Sequence, residues 1–149
     1  MEFGKRTIDK YPESSVCMIN ITNIEAINEK LGRDKGTEVI IKLSNLVKSE
    51  ISAEYIFVRY MGPKFAIVFS GINIDGVVSF VTSLKKSIES IKVYKDEKQV
   101  KAKNKVYASP KTNFVLGTYY KGTGLEEVTK KLEEYLDEAD KKESNINCI

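Results

Sequence analysis

An α+β fold, with a mostly antiparallel sheet flanked by helices, is predicted by three features of this 149-residue chain. Two apolar runs at 55–58 and 65–69 flank a Gly62-Pro63 pair, and Gly and Pro between β-rich runs mark a hairpin. Two further β-rich runs, 16–22 and 113–120, lie far from that hairpin and from each other. Between these runs, apolar residues recur at intervals of three and four, the spacing of helices with one buried face.

Residues 1–14 are mixed and polar, contain Pro12, and read as a lead-in. The run 16–22 is rich in apolar and β-branched types and reads as a buried strand. Asn23 is placed to cap a short helix over 24–31, stopped by Gly32. Thr37 opens a longer helix with Val39, Ile40, Leu43, Leu46, Val47 and Ile51 at helical spacing. The 55–69 hairpin follows. Asn73 or Asp75 caps a third helix, whose core stripe is Val77, Val81, Leu84, Ile88 and Ile91.

Residues 92–111 alternate charged and apolar types loosely, include Pro110, and predict an ill-defined β-ribbon. The strand 113–120 comes next, and Gly122 and Gly124 break the chain. The last helix runs from Leu125, with Val128, Leu132, Leu136 and Ala139 on one face. Residues after Lys142 are expected to fray. This order fits a ferredoxin-like βαββαβ frame with added elements. A single domain over 15–145 is expected, between a lead-in at 1–14 and a tail at 146–149.

Hydrophobic content of 42% and charged content of 30% are ordinary for a soluble domain, and the length suffices for a buried core. No apolar run is long enough to span a bilayer, and no signal sequence opens the chain. The net charge is +3, but residues 92–121 carry eight Lys against Asp96 and Glu97. That stretch reads either as a solvated ribbon with Lys on its edges or as an anion-binding patch. No aromatic ladder interleaves with the Lys residues, so nucleic acid is not an expected partner. Cys17 and Cys148 lie far apart, which supports neither a disulfide scaffold nor a zinc site. The absence of His excludes His-based metal sites and His acid–base catalysis.

The run Arg59-Tyr60-Met61-Gly62-Pro63-Lys64-Phe65 resembles the signature hairpin of GGDEF domains, the diguanylate cyclase family, in which an R-Y or R-x pair leads into G-G-(D/E)-E-F. Arg59, Tyr60, Gly62 and Phe65 fit that frame; Met61, Pro63 and Lys64 depart from it. Two more segments match in family order. From Asn20 to Thr37, the positions Ile21, Ile27, Asn28, Gly32 and Gly36 follow D-I-D-x-F-K-x-I-N-D-x-x-G-H-x-x-G-D. From Tyr135 to Asn145, Leu136, Ala139 and Asn145 follow A-L-Y-x-A-K-x-x-G-R-N. The family's usual opening run D-x-L-T-x-L-x-N-R is missing, as expected of a piece of a multidomain protein or of a diverged lead-in.

The resemblance implies a site that joins two GTP molecules with the help of divalent metal, and it places residues at each position of that site. Asn20 stands where the family has a metal-binding Asp. Pro63 stands at the acidic hairpin position and Lys64 at the next Glu. Asn offers a neutral oxygen, Pro offers no side-chain ligand, and a Lys cation opposes metal. Lys64 is read either as a solvated side chain at the hairpin tip or as a substitute phosphate contact. Met61 adds a side chain where the family brings nucleotide close to backbone, or else packs on a neighbouring helix. Asn28 matches a guanine-reading Asn, or else bridges the helix–helix turn. Thr37 replaces a guanine-reading Asp, and a hydroxyl cannot accept two N–H groups as a carboxylate does. Asp140 and Ser144 fall on the Lys and Arg that hold triphosphate. Ser52 and Tyr55 fall on the ends of the R-x-x-D product site, so product feedback is not expected.

The expected role is a non-catalytic regulatory or protein-interaction module of a bacterial signalling protein, with no catalytic residue, metal or cofactor. Any nucleotide contact would involve Asn20, Asn28, Thr37 and Lys64. The alternatives are a sensor of GTP or cyclic di-GMP, an active cyclase with a rearranged site, and a ferredoxin-like domain of another lineage. Expected partners are other domains of the same or another signalling protein, guanine nucleotide, and a second copy of the chain, with no nucleic acid and no membrane segment. The expected location is the cytoplasm, including as a piece of a larger, membrane-attached protein.

Overall fold

A computed structural model describes residues 11–95, 106–122, 124–139 and 146–148. Its strands are β1 (Glu13–Ile21), β2 (Ile56–Met61), β3 (Lys64–Phe69), β4 (Val93–Tyr94), β5 (Tyr107–Ala108), β6 (Thr112–Tyr120) and β7 (Ile146–Cys148). Its helices are α1 (Ile24–Leu31), α2 (Lys35–Glu50), α3 (Ile74–Glu89) and α4 (Leu125–Ala139). Five strands form one sheet in the order β2-β3-β1-β6-β7, and β4 and β5 form a separate ribbon. The first four pair antiparallel, in the ferredoxin-like arrangement, and β7 joins β6 in parallel.

The central strand β1 explains its own composition. It is flanked by β3 and β6 and covered on both faces, so its residues from Ser14 to Ile21 are all buried. A strand covered on both faces reads as a continuous apolar run rather than an alternating one. On one face Cys17, Ile19 and Ile21 join Phe65, Ile67, Phe114 and Leu116 beneath α1, α2 and α3. On the other, Val16 and Met18 join Ala66, Val68, Val115 and Tyr119 beneath Leu132 and Leu136 of α4. Each such large side chain contributes roughly 1.5–3 kcal/mol of burial. Gly117 sets how closely α4 approaches, since a Cβ there would meet Leu132 Cδ2 at 2.7 Å.

Four local expectations change. β1 begins at Glu13, not at Val16, because β6 supplies backbone partners as far as Glu13↔Tyr120. The polar residues there are accommodated: the Ser14 hydroxyl accepts from Gly71 N–H at 2.9 Å and Ser15 donates to the Ile72 carbonyl at 2.7 Å. The expected tail contains β7, held by the register Phe114↔Ile146 to Leu116↔Cys148. α2 begins at Lys35, two residues before Thr37, after Asp34 in the left-handed region (φ 72°). Asn23 makes no side-chain cap to α1. Its amide instead spans the β5–β6 corner, donating to the Ser109 carbonyl at 3.0 Å and accepting from Lys111 N–H at 2.9 Å. Asn73, by contrast, caps α3 through the Gly76 N–H. Of the expected 92–111 ribbon, the paired parts are β4 and β5; residues 96–105 lie outside the described residues.

Candidate functional site

The hairpin tip is built by backbone chemistry. Gly62 adopts φ 54°, a left-handed conformation that glycine enters without a Cβ penalty. A register shift between Arg59 and Met61 marks a bulge. Arg59 Nε donates to the Gly62 carbonyl at 2.8 Å, and Ile21 N–H donates to the Pro63 carbonyl at 3.1 Å. The second bond ties the tip to the end of β1. Pro63 has no N–H to lose there, so it fits the turn while offering its carbonyl.

A polar row then crosses one end of the sheet. Asn20 pairs with Lys64 on β3 and with Asn113 on β6. All three follow the alternation of Met18, Ala66 and Val115, so they lie on the face that α4 covers. Asn20 and Asn113 are buried. Lys64 was expected to be a solvated side chain or a phosphate contact. Its side chain is only 20% exposed, and its Nζ lies 3.4 Å from Asp137 Oδ1 on α4. Its ammonium thus reaches from the sheet to α4.

Asn28 and Thr37 lie elsewhere, at the junction of α1 and α2. Asn28 Oδ1 accepts from Gly36 N–H at 2.7 Å. The bridging reading of Asn28 therefore holds. Gly36 permits this approach, because a Cβ there would lie 2.7 Å from Ile24 Cγ2 and 3.0 Å from Asn28 Oδ1. Thr37 follows Gly36 and is exposed. The structure thus groups Gly62, Pro63, Lys64 and Phe65 with Asn20, and Asn28 with Thr37. Phe65 is a core residue stacked on Phe57 at 5.5 Å between centroids. The Met61 side chain, Asp140, Ser144 and Asn145 lie outside the described residues. Of the expected product-site positions, Ser52 accepts from Glu54 N–H, and Tyr55 packs edge-on against Phe69 at 5.1 Å.

The sequence reading missed Asn113 and Asp137. Asn113 had a signal: it is a polar residue directly before the apolar run 114–116. Asp137 had none, since 73 residues separate it from Lys64.

The oxygen donors around Asn20 are its own neutral amide and a proline carbonyl, with an ion-paired ammonium beside them. Among the described residues no three acidic, Cys or His groups cluster to hold a metal ion. This donor set does not fit a divalent cation, which takes anionic oxygen ligands.

The family described as "Diguanylate cyclase, GGDEF domain" matches residues 5–145. The chain belongs to the GGDEF family. That match removes the alternative of a ferredoxin-like domain from another lineage. A diguanylate cyclase of Vibrio cholerae is 36% identical over 61 residues, which are 41% of this chain and 19% of that protein. The chain therefore spans a small part of the curated relative it matches. Among solved GGDEF structures, the domain of DgcB from Caulobacter crescentus in complex with c-di-GMP superposes with a TM-score of 0.82 at 12% identity, covering 99% of this chain and 86% of that one. The diguanylate cyclase SiaD of Pseudomonas aeruginosa, in complex with its activator SiaC, superposes with a TM-score of 0.79 at 14% identity, covering 99% and 54%. At such identities these likenesses establish the GGDEF fold alone. Among the described residues no helix is long and apolar enough to cross a membrane.

Proposed function

We propose that this GGDEF domain is a non-catalytic regulatory or protein-interaction module of a bacterial signalling protein, working in the cytoplasm. The observation that carries the reading is Lys64. At a position where the family has a Glu, it brings a positive charge beside Asn20 and engages Asp137. Phosphoryl transfer between nucleotides depends on positioning and on neutralising triphosphate charge, chiefly by metal. Asn20, Pro63 and Lys64 together supply no carboxylate for that metal. Fold membership does not carry activity; the site decides it. The whole parent protein, its other domains and a second copy of this chain are the proposed partners, in keeping with the SiaD–SiaC pair.

Incubating the pure protein with GTP and magnesium or manganese tests this. No cyclic dinucleotide is expected, and its appearance at more than trace rate overturns the reading in favour of a rearranged cyclase. A second reading, guanine-nucleotide sensing without turnover, is favoured by Asn28. Its oxygen is committed to Gly36, while its amide nitrogen makes no hydrogen bond among the described residues. Saturable micromolar binding of GTP or cyclic di-GMP, lost in Asn28→Ala, selects sensing.

A further inference from the structure

On the opposite side of α1 from Asn28, a trough of about 620 Å³ runs between that helix and the β5–β6 corner. This is within the usual size of ligand clefts, about 300–1,000 Å³. Ala26, Ile27, Val106 and Ala108 form an apolar lining, and Lys30 and Lys111 stand at its rim. Asn23, which also lines it, fixes the corner through Ser109 and Lys111, so the trough has a braced wall. Val106 is 37% exposed, and its neighbour Tyr107 is 41% exposed.

We propose that this trough docks an acidic segment of a partner protein, with one aliphatic anchor flanked by carboxylates. Charge complementarity commits the occupant. Lys30 and Lys111 both line the trough and are both exposed, so its accessible edge is cationic. Exposed Lys alone would suit any polyanion, but the apolar lining asks for an aliphatic side chain as well. Nucleic acid fits less well, because among the described residues lining the trough Tyr107 is a single ring, not a row of stacking platforms. That ring already has the Lys92 ammonium 5.0 Å from its centroid. Anchor burial supplies affinity, and the charged rim supplies orientation and on-rate.

The proposal extends the reading of the domain as an interaction module, yet its test is separate. A cyclase could also dock a peptide here, so turnover and docking fail independently. Displayed peptides of about a dozen residues are selected on the pure protein, a length suited to groove binding. Selected peptides are expected to centre an aliphatic residue among Asp and Glu. Their affinity should fall about tenfold or more in Lys30→Glu/Lys111→Glu, and also in Ala26→Gln, which fills the trough without changing charge. All three sites are exposed, and thermal melts check that the variants fold. The proposal is overturned if no peptide is selected, or if the selected peptides lack acids. It is equally overturned if both variants bind unchanged, or if a single-stranded oligonucleotide of about twenty nucleotides binds more tightly than the best peptide.

Discussion

Lys64 and Asp137 meet across 3.4 Å, joining the tip of the signature hairpin to the last helix. Asp137 is 63% exposed, so water screens the pair, and surface pairs of this kind contribute about 0–1 kcal/mol. A double-mutant cycle with Lys64→Ala and Asp137→Ala, read by urea unfolding, should give a coupling of about 0.5 kcal/mol that shrinks with added salt. Coupling above about 2 kcal/mol would show a pair far better shielded than its exposure implies.

Restoring carboxylates should restore metal affinity. The variant Asn20→Asp/Pro63→Asp/Lys64→Glu places three acids at the end of β1 and the hairpin tip, a set suited to a hard cation. Calorimetric titration with manganese should show saturable heat for this variant and none for the natural chain. Heat from the natural chain would remove the central support for a non-catalytic domain.

Asn28 should stabilise the α1–α2 junction whether or not nucleotide binds. Asn28→Ala removes the acceptor for Gly36 N–H and should cost about 1–2 kcal/mol, the usual penalty for orphaning a largely enclosed donor. Gly36→Ala should cost about 1–3 kcal/mol, because its methyl would press on Ile24 and Asn28. Chemical denaturation of the two variants without ligand measures both. Unchanged midpoints would mean that the junction does not need this bond.

Asn23→Ala should cost about 1–2 kcal/mol despite the side chain's lack of any capping role. The loss would appear as faster amide exchange at Lys111, whose N–H it binds. If exchange instead rose in the first turn of α1 alone, the residue would be acting as a cap after all.

A last expectation concerns Lys85, Glu89 and Thr112. Glu89 Oε2 accepts from Lys85 Nζ at 3.1 Å and from Thr112 N–H at 2.8 Å, and Lys85 also donates to the Thr112 carbonyl. These bonds fasten α3 to the start of β6, next to Asn113. The Lys85 side chain is only 14% exposed, so Glu89→Ala should cost about 2–3 kcal/mol, as charged hydrogen bonds do when one partner is removed. Thermal unfolding of this variant, of Lys85→Met and of the double variant tests whether these groups act as one unit. Additive losses would show that they do not.

Much of this fold was readable from the chain. The Gly62-Pro63 turn between apolar runs specified the hairpin, and the helical stripes specified the faces of α2 and α3. The cap at Asn73 was legible because its bond closes within three residues. What failed involved partners distant in sequence. Ser14 and Ser15 looked like loop residues because their acceptor and donor partners lie 57 residues onward. Asn23 looked like a cap because Ser109 and Lys111 are invisible at that distance. The candidate site divides the same way. The residues at Asn20, Pro63 and Lys64 could be placed by resemblance. The partnership of Lys64 with Asp137 could not, because a helix surface offers many acids and only packing chooses among them.

The position of β1 between β3 and β6 has a consequence for how the chain comes to be made. Its second neighbour is not synthesised until about a hundred residues later, at Thr112–Tyr120. Until then, an apolar strand emerging from the ribosome has one flank bare, an aggregation hazard during biosynthesis. The ledge carrying Asn20 is thus begun first and finished nearly last.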